Sequence, residues 1–249
     1  MRINIEFSLV IPLWNEEKNL LNLIKMLEES KLLKLGLKEA ILVDNGSSDS
    51  TTKLLKNISN KKKWIIPVFL KTNLNYGGGI YEGFKYTTCD YIAFIPGDLQ
   101  IHANDLKKIW NILVRDPQKS KSLYKGYRKV RHDSFQMKFI SIIYTFLSNV
   151  ILGLNVKDVN GLPKIFHKSL ITKIPQTRMK TFVFDSQLIS VARQNRYFIN
   201  EIPVTFYSRR EGLSSWSSKR IRTYIQVLFQ IIKLFFLKGS AGVPIIFKR

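Results

Sequence analysis

The sequence predicts an α/β fold with a mostly parallel central sheet. In the first hundred residues, short apolar runs alternate with segments whose apolar residues recur at helical spacing, and several runs end in loops rich in Asn, Asp, Gly and Ser. Alternation of strands and helices at this spacing is typical of βαβ units. With 249 residues, 45% of them apolar, the chain can form one large domain with appendages.

Short apolar runs and amphipathic segments follow one another along the first 118 residues. The predicted strands are residues 7–12, 40–43, 64–70 and 91–95. The predicted helices are residues 16–29, 50–58 and 79–87, with a further helix that begins near Asn104. Leu20, Leu23, Ile24 and Leu27 give the first helix its apolar spacing, and Asn15 is its expected N-cap.

The remaining residues are more basic and contain two strongly apolar segments. Residues 134–152 form a predicted helix with a narrow polar stripe of Lys138, Ser141, Thr145 and Ser148. A helix over residues 182–193, a strand over 200–207 and a second amphipathic helix over 220–237 follow. The apolar part of the last helix extends roughly 21 Å, less than a hydrocarbon core of ~30 Å. For the helix over residues 220–237, the sequence favours a position in the membrane interface, with ordinary core packing as the alternative. For the helix over residues 134–152, the sequence leaves an interfacial position and core packing equally open.

The formal net charge of +22 is concentrated in the second half of the chain. Residues 1–118 carry a net charge of +3, and residues 119–249 carry +19. This excess predicts an anionic partner, either nucleic acid or an acidic membrane surface with phosphorylated substrates. Because the apolar helices do not suit a nucleic-acid face, we expect an anionic membrane surface and no nucleic acid. The single cysteine, Cys89, and the absence of an evident signal peptide favour a reducing compartment.

Polar residues cluster at the ends of the predicted strands, in residues 12–16, 44–51, 73–79 and 96–100. The carboxyl ends of parallel strands meet at one edge of a sheet, where open α/β folds bind their ligands. Asp98 at such an end predicts either a ligand of a divalent cation or a cap of the helix near Asn104. The glycine run at residues 77–79 matches neither a P-loop nor a Rossmann fingerprint, because its position and the residues after it differ from both.

The ordered set of motifs resembles the inverting family-2 glycosyltransferases, which have the GT-A fold. These motifs are Val-Ile-Pro-x-x-Asn-Glu, Val-Asp-Asn-Gly-Ser-x-Asp-x-Thr, Asn-x-Asn-x-Gly and Gly-Asp-Leu-Gln. Within the family, the chain resembles dolichyl-phosphate mannose synthases and their bacterial polyprenyl-phosphate relatives. That resemblance spans about residues 7–215 and includes Lys125-Gly-Tyr-Arg128-x-x-Arg131-x-Asp133, Asp158-Val-Asn160-Gly161, Glu201-Ile-Pro203-x-x-Phe206 and Arg209-x-x-Gly212-x-Ser214.

The resemblance implies a role for each matching residue. The implied nucleotide-sugar site consists of Pro12, Asn15, Glu16, Asp44, Asn45, Ser47, Asn73, Gly77 and Asp98. Asp98 would also bind a divalent cation, Mg²⁺ or Mn²⁺, that bridges the two donor phosphates, with Gln100 beside it. The implied acceptor phosphate site consists of Arg128, Arg131 and Arg209. Asp158 would lie near the reacting sugar, and the implied catalytic residues are Asp98, Asp158 and Arg131.

Three positions depart from the family's usual pattern. Pro96 stands where the first acid of an Asp-x-Asp motif is usual, Asn45 where a second Asp is common, and Asn75 where glycine is common. Because proline cannot ligate a metal, we expect weaker cation binding at a variant but working site. A catalytically silent sugar-nucleotide-binding homologue is the alternative.

The expected function is transfer of a sugar, with inversion, from a UDP- or GDP-sugar to a polyprenyl phosphate at the cytoplasmic face of a membrane. A phosphate acceptor is already anionic, whereas a hydroxyl acceptor needs a general base, for which Asp158 is the candidate. A glycan or lipid hydroxyl remains the alternative acceptor. The expected organisation is a glycosyltransferase domain over residues 1–215, with a nucleotide-binding half (1–118) and an acceptor half (119–215). A membrane-associating helix and tail would follow over residues 216–249.

Overall fold

The computed structural model describes residues 5–174 and 183–209. Within them, the strands are β1 (Phe7–Leu13), β2 (Leu37–Asp44), β3 (Ile65–Phe69), β4 (Tyr91–Phe94), β5 (Ser122–Arg131), β6 (Lys164–His167) and β7 (Phe198–Phe206). The helices are α1 (Glu17–Glu29), α2 (Leu32–Leu35), α3 (Thr51–Lys61), α4 (Asn75–Phe84), α5 (Ala103–Arg115), α6 (Phe135–Leu152) and α7 (Phe184–Gln194). The predicted amphipathic helix at 220–237 lies outside the described residues.

One seven-stranded sheet organises the molecule, in the order β3-β2-β1-β4-β6-β5-β7. Strand β6 pairs antiparallel with both of its neighbours, and the other four pairings are parallel. Six strands therefore run in the same direction, as the sequence predicts for a mostly parallel sheet. Their carboxyl ends lie along one edge, which brings the loops after β1, β2 and β4 to the same side as the ends of β5 and β7.

Strand β5 was not predicted as a strand, because its basic and aromatic sequence lacks a continuous apolar run. Its first half is buried, including the charged Lys125, and its second half is more exposed. Lys125 and Lys164 face each other across the antiparallel pairing of β5 and β6. The position of these lysines in the middle of the sheet depends on ion pairs with other elements, which local sequence does not reveal.

Helix α4 begins four residues earlier than predicted and contains the whole glycine run at residues 77–79, of which the prediction had included only Gly79. Gly79 and Gly83 allow this helix to pack closely on β1 and β2. A Cβ atom at Gly83 would lie 2.4 Å from Val10 Cγ1, and one at Gly79 would lie 3.0 Å from Asn45 Nδ2. Packing against the sheet thus outweighs the low helix propensity of glycine.

Helix α6 presents its apolar face outward and its polar stripe inward. Phe135, Phe139, Ile142, Ile143, Phe146 and Val150 are all more than 40% exposed. The hydroxyl-bearing side chains Ser141, Thr145 and Ser148 are buried and hydrogen-bonded to the rest of the protein. Ser134 caps the helix, and its hydroxyl accepts from the Met137 amide. Of the described helices, this one alone has the length and composition of a candidate membrane span.

Candidate active site

The loops after β1 and β2 hold each other through side-chain oxygens. Asn15 lies in the left-handed region (φ 56°), and its Oδ1 accepts from the Ser48 amide at 2.8 Å. The predicted N-cap role of Asn15 is therefore wrong, since Glu16 occupies the cap position and Asn15 instead joins the two loops. Asp44 is buried at the end of β2, where its carboxylate accepts from the Ser47 amide at 3.0 Å and from the Thr52 hydroxyl.

Asn45 joins the loop at residues 73–75, just before α4, to the loops after β1 and β2. Its Oδ1 accepts from the Leu74 amide at 2.9 Å, while its Nδ2 donates to Asn73 Oδ1 at 3.2 Å and to Asn75 O at 3.0 Å. An aspartate here would lack the donor that these two acceptors require. Asn75, with φ 62°, adopts a left-handed conformation that asparagine tolerates better than most residues. The two asparagine departures from the family pattern thus belong to one hydrogen-bond network.

Pro12 and Gly77 lie beneath these loops. Pro12 is in β1, in register with Val43 of β2, and its Cβ would be 3.4 Å from a Cβ at Gly79. Gly77 is buried in the first turns of α4. The structure therefore brings together all the residues predicted for the nucleotide-sugar site that precede Asp98, along the ends of β1 and β2 and the start of α4.

Glu16 and Arg209 join the first loop to the segment after β7. A terminal nitrogen of Arg209 donates to Glu16 Oε1 at 2.5 Å, and Asn19 Nδ2 donates to Glu16 Oε2 at 2.6 Å. Burial and the nearby negative charge of Asp98 raise the pKa of Glu16, against the lowering effect of Asn19 and Arg209. The resemblance assigns Arg209 to the acceptor phosphate. In the structure its guanidinium lies close to Glu16 and Asp98, two residues of the predicted nucleotide-sugar site.

Asp98 lies in a turn four residues after the end of β4. Its Oδ1 accepts from the Gln100 amide at 3.1 Å, and Leu99 between them has φ 63°. Burial raises the pKa of Asp98, although the Gln100 amide and the Arg209 charge favour the ionised form. Helix α5 is capped by His102, whose Nδ1 accepts from the Asn104 amide at 3.2 Å. Asp98 is therefore not the cap of that helix, which removes the structural alternative for this acid.

The metal prediction for Asp98 fits the chemistry of the turn only in part. Among residues 5–174 and 183–209, no group of three or more His, Cys, Asp or Glu side chains could hold a metal ion. Mg²⁺ is commonly held by one or two carboxylates together with substrate phosphates, so one carboxylate is compatible with a cation that binds along with the donor. The side-chain Nε2 of Gln100 donates to Tyr207 O at 3.2 Å. The assignment of Gln100 as a second metal ligand stays a prediction.

On the other side of the edge, Arg128 and Asp158 form a two-point ion pair. Arg128 Nε donates to Asp158 Oδ2 and a terminal nitrogen donates to Oδ1, both at 2.7 Å, and the Arg128 amide adds a third bond at 3.0 Å. The same terminal nitrogen donates to Ser141 of α6 at 2.6 Å. Burial would raise the pKa of Asp158, but the hydrogen bonds and charge of Arg128 hold it well below its ordinary value.

Arg131 repeats this arrangement with Asp133 at the end of β5. Its Nε donates to Asp133 Oδ1 at 3.0 Å, and a terminal nitrogen donates to the other carboxylate oxygen. The guanidinium carbons of Arg128 and Arg131 lie 5.1 and 5.8 Å from the centre of the Phe206 ring. One aromatic ring of β7 thus orients both arginines.

A surface cavity of about 280 Å³ opens beside these arginines, between β5, α6 and the loop that carries Asp158. Its cationic lining residues are Arg128, Lys129, Arg131, Lys138 and Lys157. Asp158 is the one acid among its lining residues, and Ile142 connects the cavity to the exposed apolar face of α6. This combination of excess positive charge and adjoining apolar surface suits an anionic headgroup with a hydrocarbon tail.

Between the Asp98 turn and the Arg128–Asp158 pair lies a group of residues that the sequence analysis missed. Lys164 Nζ donates to Asp185 Oδ1 at 2.5 Å, and both side chains are buried. Burial, together with the negative charges of Asp185 and Asp98, raises the pKa of Tyr76 well above its usual value. In the sequence, the available signal for this group was Asp185, an acid in the first turn of α7. Its partner, Lys164 on β6, becomes apparent only in the fold.

Comparison with known proteins gives the family of the chain. The model of glycosyl transferase family 2 matches residues 8–174. The chain is 28% identical over 241 residues to the dodecaprenyl-phosphate galacturonate synthase of Rhizobium johnstonii, covering 96% of this chain and 69% of that protein. It is 26% identical to the undecaprenyl-phosphate 4-deoxy-4-formamido-L-arabinose transferase of Pseudomonas fluorescens, covering 90% of this chain and 63% of the relative.

Solved structures share the fold at lower identity. Glucosyl-3-phosphoglycerate synthase from Mycobacterium tuberculosis, crystallised with Mn²⁺, uridine diphosphate and phosphoglyceric acid, superposes with a TM-score of 0.68 at 16% identity, covering 98% of this chain and 81% of that one. TarS from S. aureus, in complex with UDP-GlcNAc, gives a TM-score of 0.63 at 20% identity, covering 94% and 67%. The sheet order, the loops at its carboxyl edge and the family model together lead to one conclusion: the chain is a glycosyltransferase with the GT-A fold and belongs to glycosyl transferase family 2.

Proposed function

We propose that the protein transfers a sugar from a nucleotide-sugar to a polyprenyl phosphate. The observation that carries this proposal is the cationic cavity beside Arg128 and Arg131, which adjoins the outward apolar face of α6 through Ile142. Guanidinium groups match phosphate oxygens in geometry, and an apolar ridge next to them suits the first units of a polyprenyl chain. Both polyprenyl-phosphate relatives support the same acceptor class.

The state of Asp158 favours a phosphate acceptor over a hydroxyl. A general base works best with a pKa near the operating pH. Asp158 is held by three hydrogen bonds from Arg128, and its pKa is far below its ordinary value, so it is a poor proton acceptor at neutral pH. A phosphate monoester needs no such base. In this proposal Asp158 orients Arg128, and Arg128 and Arg131 hold the acceptor phosphate.

The donor would occupy the loops at the ends of β1, β2 and β4. In this proposal Asp44 and the loop residues around it contact the nucleoside, and Asp98 would hold the divalent cation. A divalent cation, Mg²⁺ or Mn²⁺, would supply positive charge that stabilises the leaving diphosphate. Arg209, close to Asp98, adds a fixed positive charge on the same side. The transferred sugar would lie between these groups and Arg128, near Tyr76.

We also propose that the outward face of α6 contacts an anionic membrane surface. With 18 residues at about 1.5 Å each, the helix is close to 27 Å long. One side of it is hydrogen-bonded to the protein through Ser141, Thr145 and Ser148, so the apolar side can lie along the interface without crossing it. The cationic excess of residues 119–249 fits this placement, and a cytoplasmic face is part of the proposal.

The test is a transfer assay with the purified full-length chain. UDP- and GDP-sugars are incubated with undecaprenyl or dolichyl phosphate in detergent or vesicles, with Mg²⁺, Mn²⁺ or EDTA, and the lipid fraction is analysed by mass spectrometry. A lipid-linked sugar that depends on the lipid phosphate supports the proposal. The absence of lipid product, together with transfer to a hydroxyl acceptor or no nucleotide binding by calorimetry, would contradict it. Turnover gained only on Pro96→Asp would identify a silent homologue.

A further inference from the structure

Two buried lysine–carboxylate pairs lie side by side under the carboxyl edge of the sheet. Lys164 of β6 pairs with Asp185, and its register partner Lys125 of β5 pairs with Glu201 of β7. Both lysine side chains are completely buried. A buried ion pair is costly unless all of its polar atoms are satisfied, so it is weak evidence of stabilisation alone. The contacts of Lys125 and Glu201 indicate what their pair does.

Lys125 and Glu201 both bind the main chain of the loop that carries Asp158. The Lys125 ammonium donates to Glu201 Oε1 at 3.0 Å, to Gly126 O at 3.0 Å and to the main-chain oxygen of Asp158. Glu201 accepts from the Lys157 amide at 2.8 Å through Oε2 and from the Asp158 amide at 3.4 Å through Oε1. The pair thus fixes the peptide groups on both sides of the Asp158 Cα atom.

The chain of contacts continues from this main chain to the acceptor cavity. The Asp158 carboxylate holds the Arg128 guanidinium, and Arg128 lines the cavity, whereas Lys125 and Glu201 are not among its lining residues. The loop is also pressed closely against β5, because a Cβ atom at Gly161 would lie 2.0 Å from Gly126 O. A displacement of the loop would therefore move the Asp158 carboxylate and, with it, the guanidinium.

We propose that Lys125 and Glu201 are positioning residues of the acceptor phosphate site, which act through Asp158 on Arg128. The inference rests on the proposed function, since it concerns the same acceptor site. It assigns a role to an ion pair that does not line the cavity. The bidentate hydrogen bonds to the guanidinium form only in one orientation of the Asp158 carboxylate. This orientation requires that the main chain of Asp158 be held in place.

Glu201→Gln is a sharp test because it changes chemistry without changing shape. A carboxylate offers acceptors on both oxygens, and here both are used by N–H donors. A glutamine must turn its NH₂ group towards either the Lys157 amide or the Lys125 ammonium, so that two donors face each other. Glu201→Asp keeps an acceptor-only group but withdraws it by one methylene from the loop.

The experiment measures the steady-state kinetics of the full-length protein with lipid phosphate and nucleotide-sugar varied separately. For Glu201→Gln we expect the KM for lipid phosphate to rise about tenfold, the effect of weakening one charge-assisted hydrogen bond, with the donor KM nearly unchanged. Glu201→Asp should recover part of the loss. The control is Asp90→Asn, which breaks the exposed Asp90–Lys168 ion pair before β4 and should leave both KM values unchanged.

The possible outcomes separate this inference from the proposed function. A wild-type protein without lipid-phosphate transfer contradicts the proposed function. An active wild type whose Glu201→Gln variant keeps its acceptor KM, or loses donor and acceptor binding equally together with thermal stability, overturns the positioning role alone. If Glu201→Gln does not fold, Glu201→Asp is measured in its place, and an unchanged acceptor KM in that variant also overturns the role.

Discussion

Gln100 and Tyr207 are joined by two hydrogen bonds in opposite directions. The Tyr207 amide donates to Gln100 O at 3.0 Å, and Gln100 Nε2 donates to Tyr207 O at 3.2 Å. Tyr207 also stacks on His132, with the ring centres 5.8 Å apart. The turn that carries Asp98 is therefore attached to the segment after β7, which also contains Arg209.

Gln100→Ala tests whether Gln100 attaches the Asp98 turn to Tyr207 or acts as a metal ligand. The variant loses one hydrogen bond, worth about 1 kcal/mol, so we expect the donor KM to rise roughly fivefold and the concentration of Mn²⁺ for half-maximal activity to change less. Titrations of donor and Mn²⁺ measure both quantities. Gln118→Ala, at an exposed position, is the control. A much larger shift in the Mn²⁺ requirement than in the donor KM would instead identify Gln100 as a ligand.

Arg128→Lys tests the acceptor site. Lysine keeps the charge but cannot grip Asp158 at two points while also donating to Ser141. We expect kcat/KM for lipid phosphate to fall about 10- to 100-fold, the equivalent of one charge-assisted bond, with donor binding unchanged. Kinetics with varied lipid phosphate measure this, and Arg115→Lys at the exposed end of α5 is the control. Equal activity of the two variants would exclude Arg128 from the acceptor site.

Asp158→Asn should destabilise the protein in a pH-dependent manner. Removal of one partner of a buried ion pair costs about 3 kcal/mol at neutral pH. Because the pKa of Asp158 is lower in the folded state than in the unfolded chain, its contribution is fully present above pH 4 and is lost as the pH falls towards the folded pKa. The difference from wild type should be about 1 kcal/mol smaller at pH 3 than at pH 7.

Urea unfolding at the two pH values measures this difference. Asp116→Asn provides a comparison, because the pKa of Asp116 is lowered chiefly by the hydrogen bond from the Tyr124 hydroxyl, with the charge of Lys119 as a smaller cause. A difference between wild type and Asp158→Asn that grows as the pH falls would show that Asp158 is not ionised in its pair with Arg128.

Phe139→Ser/Phe146→Ser tests the membrane face of α6. Both rings are more than half exposed, so the double variant should keep the unfolding temperature of the wild type. Each phenylalanine that enters the interface contributes about 1.5 kcal/mol or more, and we expect affinity for anionic vesicles to fall at least 100-fold. Vesicle flotation measures binding, with Leu21→Ser on the exposed side of α1 as the control. Unchanged flotation would mean that this face does not meet lipid.

The strand ends of the donor half could be predicted because each one is encoded locally. An apolar run followed by turn residues and an acid marks the end of a buried strand, and parallel strands bring such ends to one edge. Asp44 and Asp98 were therefore predicted at one site without any knowledge of contacts. The alternative for Asp98, a helix cap, required the structure, where His102 takes that position.

The orientation of α6 could not be predicted from its sequence. A polar stripe on an apolar helix normally faces water, and the sequence analysis left both a membrane and a core position open. In the fold, Ser141 bonds Arg128 and Thr145 bonds the Val159 amide, so the stripe faces the protein. Periodicity identifies the two faces of a helix, whereas the partners on each side are decided by segments far away in the chain.

By itself, the sequence determined the strand–helix alternation, the family motifs and the cationic excess of the second half, because these depend on local order and composition. Only the tertiary structure decided that Arg209 meets Glu16 across 193 residues of chain and that Lys125 lies in register with Glu201. Ion pairs of this kind form where a sheet brings distant strands together, and no spacing along the chain encodes which charge will pair with which.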